Sequence, residues 1–189
     1  MAKTKTTRIR FHHSWKFAQQ TSRDCRPNIE KEIKEIKKEN KKLDSIYLNT
    51  TLKCYPSYIG CYSEDQVDEL VFGKFPCFLI VNIDSSNMPG SHWITLGIFQ
   101  KHIEVFDPLG FNIFNWSRVP CTLISFIHRL SVTRKILISK RVQPDTSTLC
   151  GFYCLFYLFL RKTKSMRTIL SFFNEKLSLN DNVLLNFFS

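Results

Sequence analysis

A cysteine marks the start of the most apolar stretch of the chain, and its position favours nucleophilic chemistry. Cys150 stands at the beginning of the apolar run 149–160, which is long enough for a buried helix. A thiol attacks as the thiolate, and the N-terminus of a helix stabilises an anion. The neighbouring Gly151 would let a substrate carbonyl approach the backbone closely. The alternative is a buried structural cysteine, and this is the role that we predict for Cys154, one helical turn later.

A histidine and an aspartate further upstream are predicted to meet through a β-hairpin. The stretch GSHWITLGIFQKHIEVFDPLG contains two apolar segments, 92–99 and 102–108, separated by a two-residue turn. In an antiparallel pair the start of one strand lies beside the end of the next, which places His92 next to Asp107. An acceptor beside an imidazole fixes its tautomer, so the pair could serve a nucleophilic cysteine as a base. The alternatives are a structural histidine and an Asp-Pro turn.

A glutamine in the stretch QPDTSTLCGFYC completes a set that is suited to acyl transfer. Gln143 is predicted to end a strand, and a short loop then leads to Cys150. Acyl transfer builds negative charge on the carbonyl oxygen, which a side-chain amide and a backbone N–H together can stabilise. The order His92, Asp107, Gln143, Cys150, with each residue at the end of an element, therefore indicates one assembled site rather than four unrelated residues.

The elements that must position these residues mix strands and helices, with antiparallel pairing in the middle of the chain. This pattern predicts an α+β fold. Ile29, Ile33, Ile36, Asn40 and Leu43 form a narrow helical stripe that favours a solvated helix leaning on the domain over a coiled coil. The predicted strands are 75–84, 92–99, 102–108 and 135–142, and the predicted helices are 28–43 (with an extension through 43–53), 119–132, 150–161, 165–177 and 180–188.

Taken together, these motifs resemble the adenovirus protease family and the related proteases of Polinton/Maverick virus-like transposons, with the Ulp-type deSUMOylases as wider relatives. The resemblance covers roughly residues 43–189, including YIGCYSEDQ, and implies a central mixed sheet packed with helices. It assigns His92 as general base, Asp107 as its orienting acid, Gln143 to the oxyanion hole and Cys150 as nucleophile. The adenovirus enzyme has Glu where Asp107 stands, which leaves the role intact.

The resemblance implies a cysteine endopeptidase that cuts structural precursors of virions or virus-like particles at small, glycine-containing sites. It further implies a monomer, active in the virion or host nucleus, with DNA and a short peptide as activators. One alternative is an isopeptidase that acts on a ubiquitin-like protein; against it, Leu149 stands where deSUMOylases usually carry Asp. Another alternative is a domesticated, inactive DNA-binding module.

The charge is distributed unevenly and divides the chain into two predicted parts. Residues 1–42 hold 13 Lys/Arg against 5 Asp/Glu, a net of +8, whereas residues 43–189 hold 14 against 11, a net of +3. We predict a basic N-terminal extension with a charged helix (1–42) and a protease domain (43–189). The extension suits either a nucleic-acid partner or a solubilising tail. The basic clusters that could also contact DNA are Arg134–Lys135, Lys140–Arg141 and Arg161–Lys162–Lys164–Arg167.

The cysteine content and the N-terminal sequence favour an intracellular protein with free thiols. The seven cysteines form an odd set, and the start MAKTKTTRIR lacks the apolar core of a signal peptide. No pair has CxxC spacing, so we expect no metal site, and thiol chemistry requires no cofactor. The longest apolar run has about 12 residues and a bilayer span takes roughly 20, so we expect no membrane association.

Overall fold

A computed structural model describes residues 29–39, 42–111 and 119–188. Its centre is a five-stranded sheet with the strand order β1-β2-β3-β4-β5. The inner strands β2, β3 and β4 pair antiparallel, and each edge strand pairs parallel with its neighbour. The strands are β1 (Tyr58–Ser63), β2 (Cys77–Asn82), β3 (Trp93–Ile98), β4 (His102–Phe106) and β5 (Lys135–Ile138). The predicted mixed sheet of an α+β fold is confirmed.

Helices cover both faces of this sheet. Side chains alternate between the two faces along a strand, and two separate apolar cores result: Phe78 and Ile80 point into one, Leu79 and Val81 into the other. The helices are α1 (Ile29–Glu39), α2 (Ser45–Leu52), α3 (Cys121–Ser131), α4 (Cys150–Arg161), α5 (Met166–Leu170) and α6 (Asn180–Phe188), with short 3₁₀ turns at Glu64–Gln66 and Leu177–Leu179. Helix α3 packs in the second core and the other α-helices in the first.

Helix α4 forms the middle of the larger core, and its sequence explains why. Every residue from Cys150 to Leu158 is buried, so the helix is apolar on all sides and must be enclosed by protein. It contacts β3 beneath it and helices α2, α5 and α6 around it. Among the described residues, no helix combines the length and the hydrophobicity that crossing a membrane requires.

The charged N-terminal helix packs on this same core. Ile29, Ile33 and Ile36 of α1 are buried, while its lysines and glutamates with described side chains are mainly exposed. The helical stripe that the isoleucine spacing predicts is therefore present, although Asn40 lies outside the described residues, as do residues 1–28. The helical signal predicted for 43–53 is present as helix α2, but it does not continue α1, because Asp44 caps a new helix by accepting a 2.7 Å hydrogen bond from the Tyr47 N–H.

Strand β1 is the element that the sequence does not predict. Its register with β2 shifts between Tyr58 and Gly60, and Gly60 has a φ of +135°, a conformation that side chains disfavour. An edge strand of this kind is only partly buried, so it lacks the continuous apolar run that identifies β2. The predicted helix 165–177 is also too long, since α5 ends at Leu170.

Candidate active site

The β3–β4 hairpin brings His92 and Asp107 into direct contact. His92 directly precedes β3 and Asp107 directly follows β4, and the two strands pair with Thr95 opposite Phe106. The distance from His92 Nε2 to Asp107 Oδ1 is 2.7 Å. The side chains are 5% and 0% exposed, so the pair is shielded from water and its electrostatic interaction is stronger than at a surface.

The backbone around Asp107 fixes its carboxylate. Oδ1 also accepts a 2.8 Å hydrogen bond from the Leu109 N–H, and Oδ2 accepts one of 3.2 Å from the Phe111 N–H. The Asp107 N–H donates to Ser139 Oγ, which in turn donates to the Asp107 carbonyl. Asp107 thus both starts a turn and faces the histidine, so the two roles that the sequence suggests for it are compatible. The sequence alone does not reveal Ser139 as its support.

The same turn carries the loop that contains Gln143. The Gly110 N–H closes the turn by donating to the Asp107 carbonyl at 2.9 Å, while the Pro108 carbonyl accepts from the Val142 and Gln143 N–H groups. Gly110 has a φ of +66°, and a Cβ there would lie 2.4 Å from the Arg141 nitrogen. Only glycine permits this close approach, so the Asp107 turn and the Gln143 loop are held together as one unit.

Cys150 is the first residue of α4, and its side chain lies close enough to the His92 imidazole to raise the pKa of that ring. Because Nε2 of the ring faces Asp107, Nδ1 is the ring nitrogen that remains available to Cys150. Burial lowers the pKa of His92, but the hydrogen bonds to Asp107 and Cys150 and their negative charges outweigh it and raise the pKa from 6.5 to about 9. A pKa of about 9 keeps the imidazole protonated at neutral pH.

The N-terminal end of α4 presents backbone N–H groups beside the thiol. Leu149 is the N-cap residue, and its side chain makes no capping hydrogen bond. The first N–H groups of a helix have no partner within the helix, so the Cys150 N–H is suited to stabilising an anion. For Gly151 the structure gives a packing reason: an added Cβ would lie 3.0 Å from Leu43 Cβ.

Gln143 lies in the loop before α4 and not at the end of a strand, because β5 already ends at Ile138. Its side chain is buried, and Nε2 donates a 2.7 Å hydrogen bond to the Ser147 carbonyl. That nitrogen carries two hydrogens, which leaves the second for another acceptor. Oε1 has no hydrogen-bond partner within the described part of the chain. Exchanging Oε1 and Nε2 of Gln143 would place Oε1 against the Ser147 carbonyl oxygen, where neither atom can donate a hydrogen bond. This orientation of the amide is therefore the favourable one.

Two residues next to the predicted set hold it in place. The indole Nε1 of Trp93 donates a 2.8 Å hydrogen bond to the Leu43 carbonyl, which anchors the residue that follows His92. Cys154 is fully buried and donates its thiol to the Trp93 carbonyl at 3.4 Å. Burial raises the pKa of Cys154 well above its ordinary value, in keeping with the structural role predicted for it. The described residues contain no cluster of three or more His, Cys, Asp or Glu side chains suited to a metal ion.

Comparisons with known proteins identify the family and the fold of the chain. The family model described as adenovirus endoprotease matches residues 58–173, more than half of the chain. A crystal structure of the ASFV pS273R protease superimposes with a TM-score of 0.54 at 20% identity, over 78% of this chain and 66% of that one. The selenomethionine form of that protease gives a TM-score of 0.53 at 19% identity over the same shares. No curated protein sequence matches the chain.

These likenesses confirm the predicted adenain/Ulp-like fold, although the chain spans only 66% of the length of the ASFV protease. The residues that the family match covers include the whole His92–Asp107 hairpin, Gln143 and Cys150. The chain therefore belongs to the adenovirus endoprotease family, a family of cysteine proteases.

Proposed function

We propose that the chain is a cysteine endopeptidase in which Cys150 is the nucleophile and His92 the general base and acid. Asp107 orients the imidazole, and Gln143 with the Cys150 N–H stabilises the oxyanion. The observation that carries this proposal is the imidazole of His92, which contacts Asp107 through Nε2 at 2.7 Å and lies close enough to Cys150 for that residue to raise its pKa. Acyl transfer by a cysteine requires a base that a carboxylate orients and that lies beside the nucleophile. His92, between Asp107 and Cys150, has this position.

The reaction proceeds in two halves. The Cys150 thiolate attacks the scissile carbonyl carbon, and the π electrons of the C=O bond move onto its oxygen. When the tetrahedral intermediate collapses, the C–N bond breaks and the His92 imidazolium gives its proton to the leaving amine. Water then attacks the thioester and loses a proton to His92, and the departing thiolate restores the starting pair. The raised pKa of His92 keeps the required proton in place at neutral pH.

Oxyanion stabilisation would come from the N-terminus of α4 and the Gln143 amide. The first-turn N–H of Cys150 carries the positive end of the helix dipole, and no capping side chain from Leu149 competes for it. The Gln143 amide nitrogen is buried and has a second hydrogen to donate beyond its bond to Ser147. Donors fixed before the reaction require no reorganisation during it, which is why such groups contribute strongly to catalysis.

The proposed substrates are structural precursor proteins of a virion or a virus-like element of the Polinton/Maverick kind. Membership of the adenovirus endoprotease family supports this class of substrate. The isopeptidase alternative has less support because Leu149, directly before the nucleophile, is apolar and buried. We expect a monomer that acts in the virion or the host nucleus.

DNA or a short peptide is proposed as an activator and not as a participant in the chemistry. Within the predicted basic clusters, Arg161 binds Glu104 and Arg134 donates to the Phe99 carbonyl, so these two guanidinium groups are engaged inside the protein. Lys135, Lys140 and Arg167 are exposed. Phosphate contacts made by exposed lysines and arginines weaken as salt rises, so activation by DNA should decline with ionic strength.

The proposal is tested by comparing wild type, Cys150→Ala and Cys154→Ala on a candidate precursor protein. We expect cleavage by wild type and by Cys154→Ala, whose lost sulfur is structural, and none by Cys150→Ala. Cleavage that survives Cys150→Ala would overturn the proposed nucleophile.

Two further measurements separate the alternatives. Covalent capture of Cys150 by a SUMO–vinyl-sulfone probe, without cleavage of precursor proteins, would support the isopeptidase. DNA binding by a wild-type protein that has no peptidase activity would support the inactive module.

A further inference from the structure

One serine organises the loop that joins Gln143 to the nucleophile. The Ser147 carbonyl accepts the 2.7 Å hydrogen bond from the Gln143 amide. Its hydroxyl accepts a 3.2 Å hydrogen bond from the Leu149 N–H, directly before Cys150. The Ser147 N–H donates to the Pro144 carbonyl at 3.1 Å, which closes a turn within the loop. The position of the Gln143 amide therefore depends on where Ser147 lies.

A carboxylate on the last helix determines the position and direction of the Ser147 hydroxyl. Ser147 Oγ donates to Asp181 Oδ1 at 2.9 Å, and the phenol of Tyr153 donates to the same oxygen at 3.0 Å. The other carboxylate oxygen pairs with Lys37 Nζ at 3.2 Å. Because the hydroxyl hydrogen is committed to Asp181, a lone pair of Ser147 is left to accept from Leu149.

Asp181 is well suited to hold this arrangement. It lies in the first turn of α6, where the helix dipole stabilises a negative charge. Its side chain is only 13% exposed, so its hydrogen bonds are strengthened by the apolar surroundings. Tyr153 lies one turn after Cys150 on α4, and burial together with the Asp181 charge raises the pKa of its phenol. The phenol therefore stays protonated and donates to Asp181.

We propose that Asp181 is a positioning residue for the oxyanion site and acts through Ser147 on the Gln143 amide. The inference rests on the proposed function. Helix α6, which carries Asp181, would thus influence catalysis although it lies outside residues 58–173, the part that the family match covers. Lys37 on α1, also outside that part, is the counter-ion that holds the carboxylate from its other side.

The test compares wild type, Asp181→Asn and Asp181→Ala in peptide hydrolysis. A donor used only for the oxyanion affects the transition state and not substrate binding, so kcat should fall while KM changes little. We expect Asp181→Ala to lower kcat about tenfold, less than the order of 10² to 10³ that follows loss of an oxyanion donor itself. Asp181→Asn keeps an oxygen for Ser147 and Tyr153, so it should recover part of that loss.

A second measurement distinguishes positioning from simple destabilisation. Alkylation of Cys150 by iodoacetamide, followed by mass spectrometry, needs the thiolate and His92 but no oxyanion donor. It should proceed at the wild-type rate in Asp181→Ala. In a Gln143→Ala background, Asp181→Ala should cost much less kcat than in wild type, because the amide that it positions is gone. Asp68→Ala, which removes a half-exposed carboxylate paired with Arg129, is the matched control and should leave kcat unchanged.

Three results would overturn the inference: an unchanged kcat in Asp181→Ala, an equal fall in kcat and alkylation rate, or full additivity with Gln143→Ala. Each of these can occur while Cys150→Ala still abolishes hydrolysis, in which case only the role of Asp181 fails. Hydrolysis that persists in Cys150→Ala would instead remove the proposed function, and the inference with it.

Discussion

The two ends of helix α4 each face a buried carboxylate from the β4 region, yet the two carboxylates have different partners. At the start of the helix, Asp107 binds His92, which contacts Cys150. Towards its end, Glu104 accepts hydrogen bonds from Arg161 and from the Tyr157 hydroxyl, and the His102 imidazole lies 3.5 Å from the same carboxylate. Asp107 is 0% and Glu104 3% exposed, so burial alone does not distinguish a catalytic carboxylate from a structural one.

The difference lies in the charged group that each carboxylate binds at 2.7 Å, and in whether that group can exchange a proton. Burial lowers the pKa of Arg161, but the hydrogen bond and charge of Glu104 outweigh this and raise it, so the guanidinium stays charged. Arg161 binds both carboxylate oxygens, at 2.7 and 3.1 Å, and fixes one geometry. His92, with a pKa of about 9, can lose and regain its proton within the working range of an enzyme. The Glu104–Arg161 pair at the C-terminal end of α4 is therefore structural, whereas the Asp107–His92 pair at the N-terminal end can exchange a proton.

The largest effect should come from removing the base at the catalytic end. His92→Ala should lower kcat/KM by at least about 10⁴-fold, or about 5.5 kcal/mol of transition-state stabilisation. The reason is that thiolate formation and leaving-group protonation both use this imidazole. Initial rates of peptide hydrolysis measure the effect, with circular dichroism as a control for folding. A rate within about tenfold of wild type would remove His92 from the mechanism.

The next largest effect should be a loss of stability when the Glu104–Arg161 pair at the C-terminal end of α4 is broken. Glu104→Gln leaves the Arg161 charge without its counter-ion in a mostly buried site, where its side chain is 16% exposed. Removing one partner of a buried ion pair lowers the free energy of unfolding by about 3 kcal/mol. Urea unfolding measures this loss, and the folded fraction should keep its hydrolytic activity. A loss of activity without a loss of stability would reverse the roles assigned to the two ends.

A smaller effect should appear in the pH dependence of kcat/KM, which should respond to a change at Asp107 but not to one at Glu104. The kcat/KM of wild type should fall as pH rises through about 9, where His92 loses its proton. In Asp107→Asn this alkaline limb should move to lower pH, because the carboxylate raises the pKa of His92, whereas Glu104→Gln should leave it in place. A limb that does not move in Asp107→Asn would contradict the assigned role.

The same raised pKa should also make stability depend on pH. The imidazolium contributes its full stabilisation below pH 6.5, and this contribution fades as the pH rises from 6.5 through about 9. Urea unfolding at several pH values would show this decline in wild type. The decline should be reduced in Asp107→Asn, and an equal decline in both proteins would count against the His92–Asp107 pair as its source.

The smallest effect should come from a carboxylate pair at the surface. Asp68 and Arg129 form a 3.2 Å ion pair with side chains 48% and 53% exposed. Exposed pairs contribute at most about 1 kcal/mol, so Asp68→Ala should change the free energy of unfolding by less than Glu104→Gln does. Comparable losses in the two variants would show that burial does not set the strength of these pairs.

Local sequence patterns were sufficient to predict the central part of the site. The apolar run after Leu149 predicted helix 150–161, and the described helix α4 has the same bounds. The two-residue turn between alternating strands predicted the contact of His92 with Asp107, since strand period and turn length determine which residues meet. Both predictions depend on residues that are close together in the chain.

Features that depend on distant residues could not be predicted in this way. The parallel pairing of β4 with β5 needs a crossover whose path no local pattern determines. The bond from Ser147 to Asp181 joins polar residues 34 positions apart. The predicted last part of helix 165–177 is replaced by a turn in which Asn180 accepts from the Asn174 N–H at 2.7 Å. The catalytic roles of His92, Asp107, Gln143 and Cys150 remain predictions.

The most direct test of the central claim is a competition among the cysteines of the intact protein. Cys150 is only 2% exposed, whereas Cys54 and Cys121 are exposed free thiols. If the His92–Asp107 pair activates Cys150, limiting iodoacetamide at neutral pH should modify Cys150 first in wild type, and last among the three in His92→Ala. Preferential modification of Cys54 and Cys121 in the wild-type protein, with Cys150 unreacted, would contradict the account.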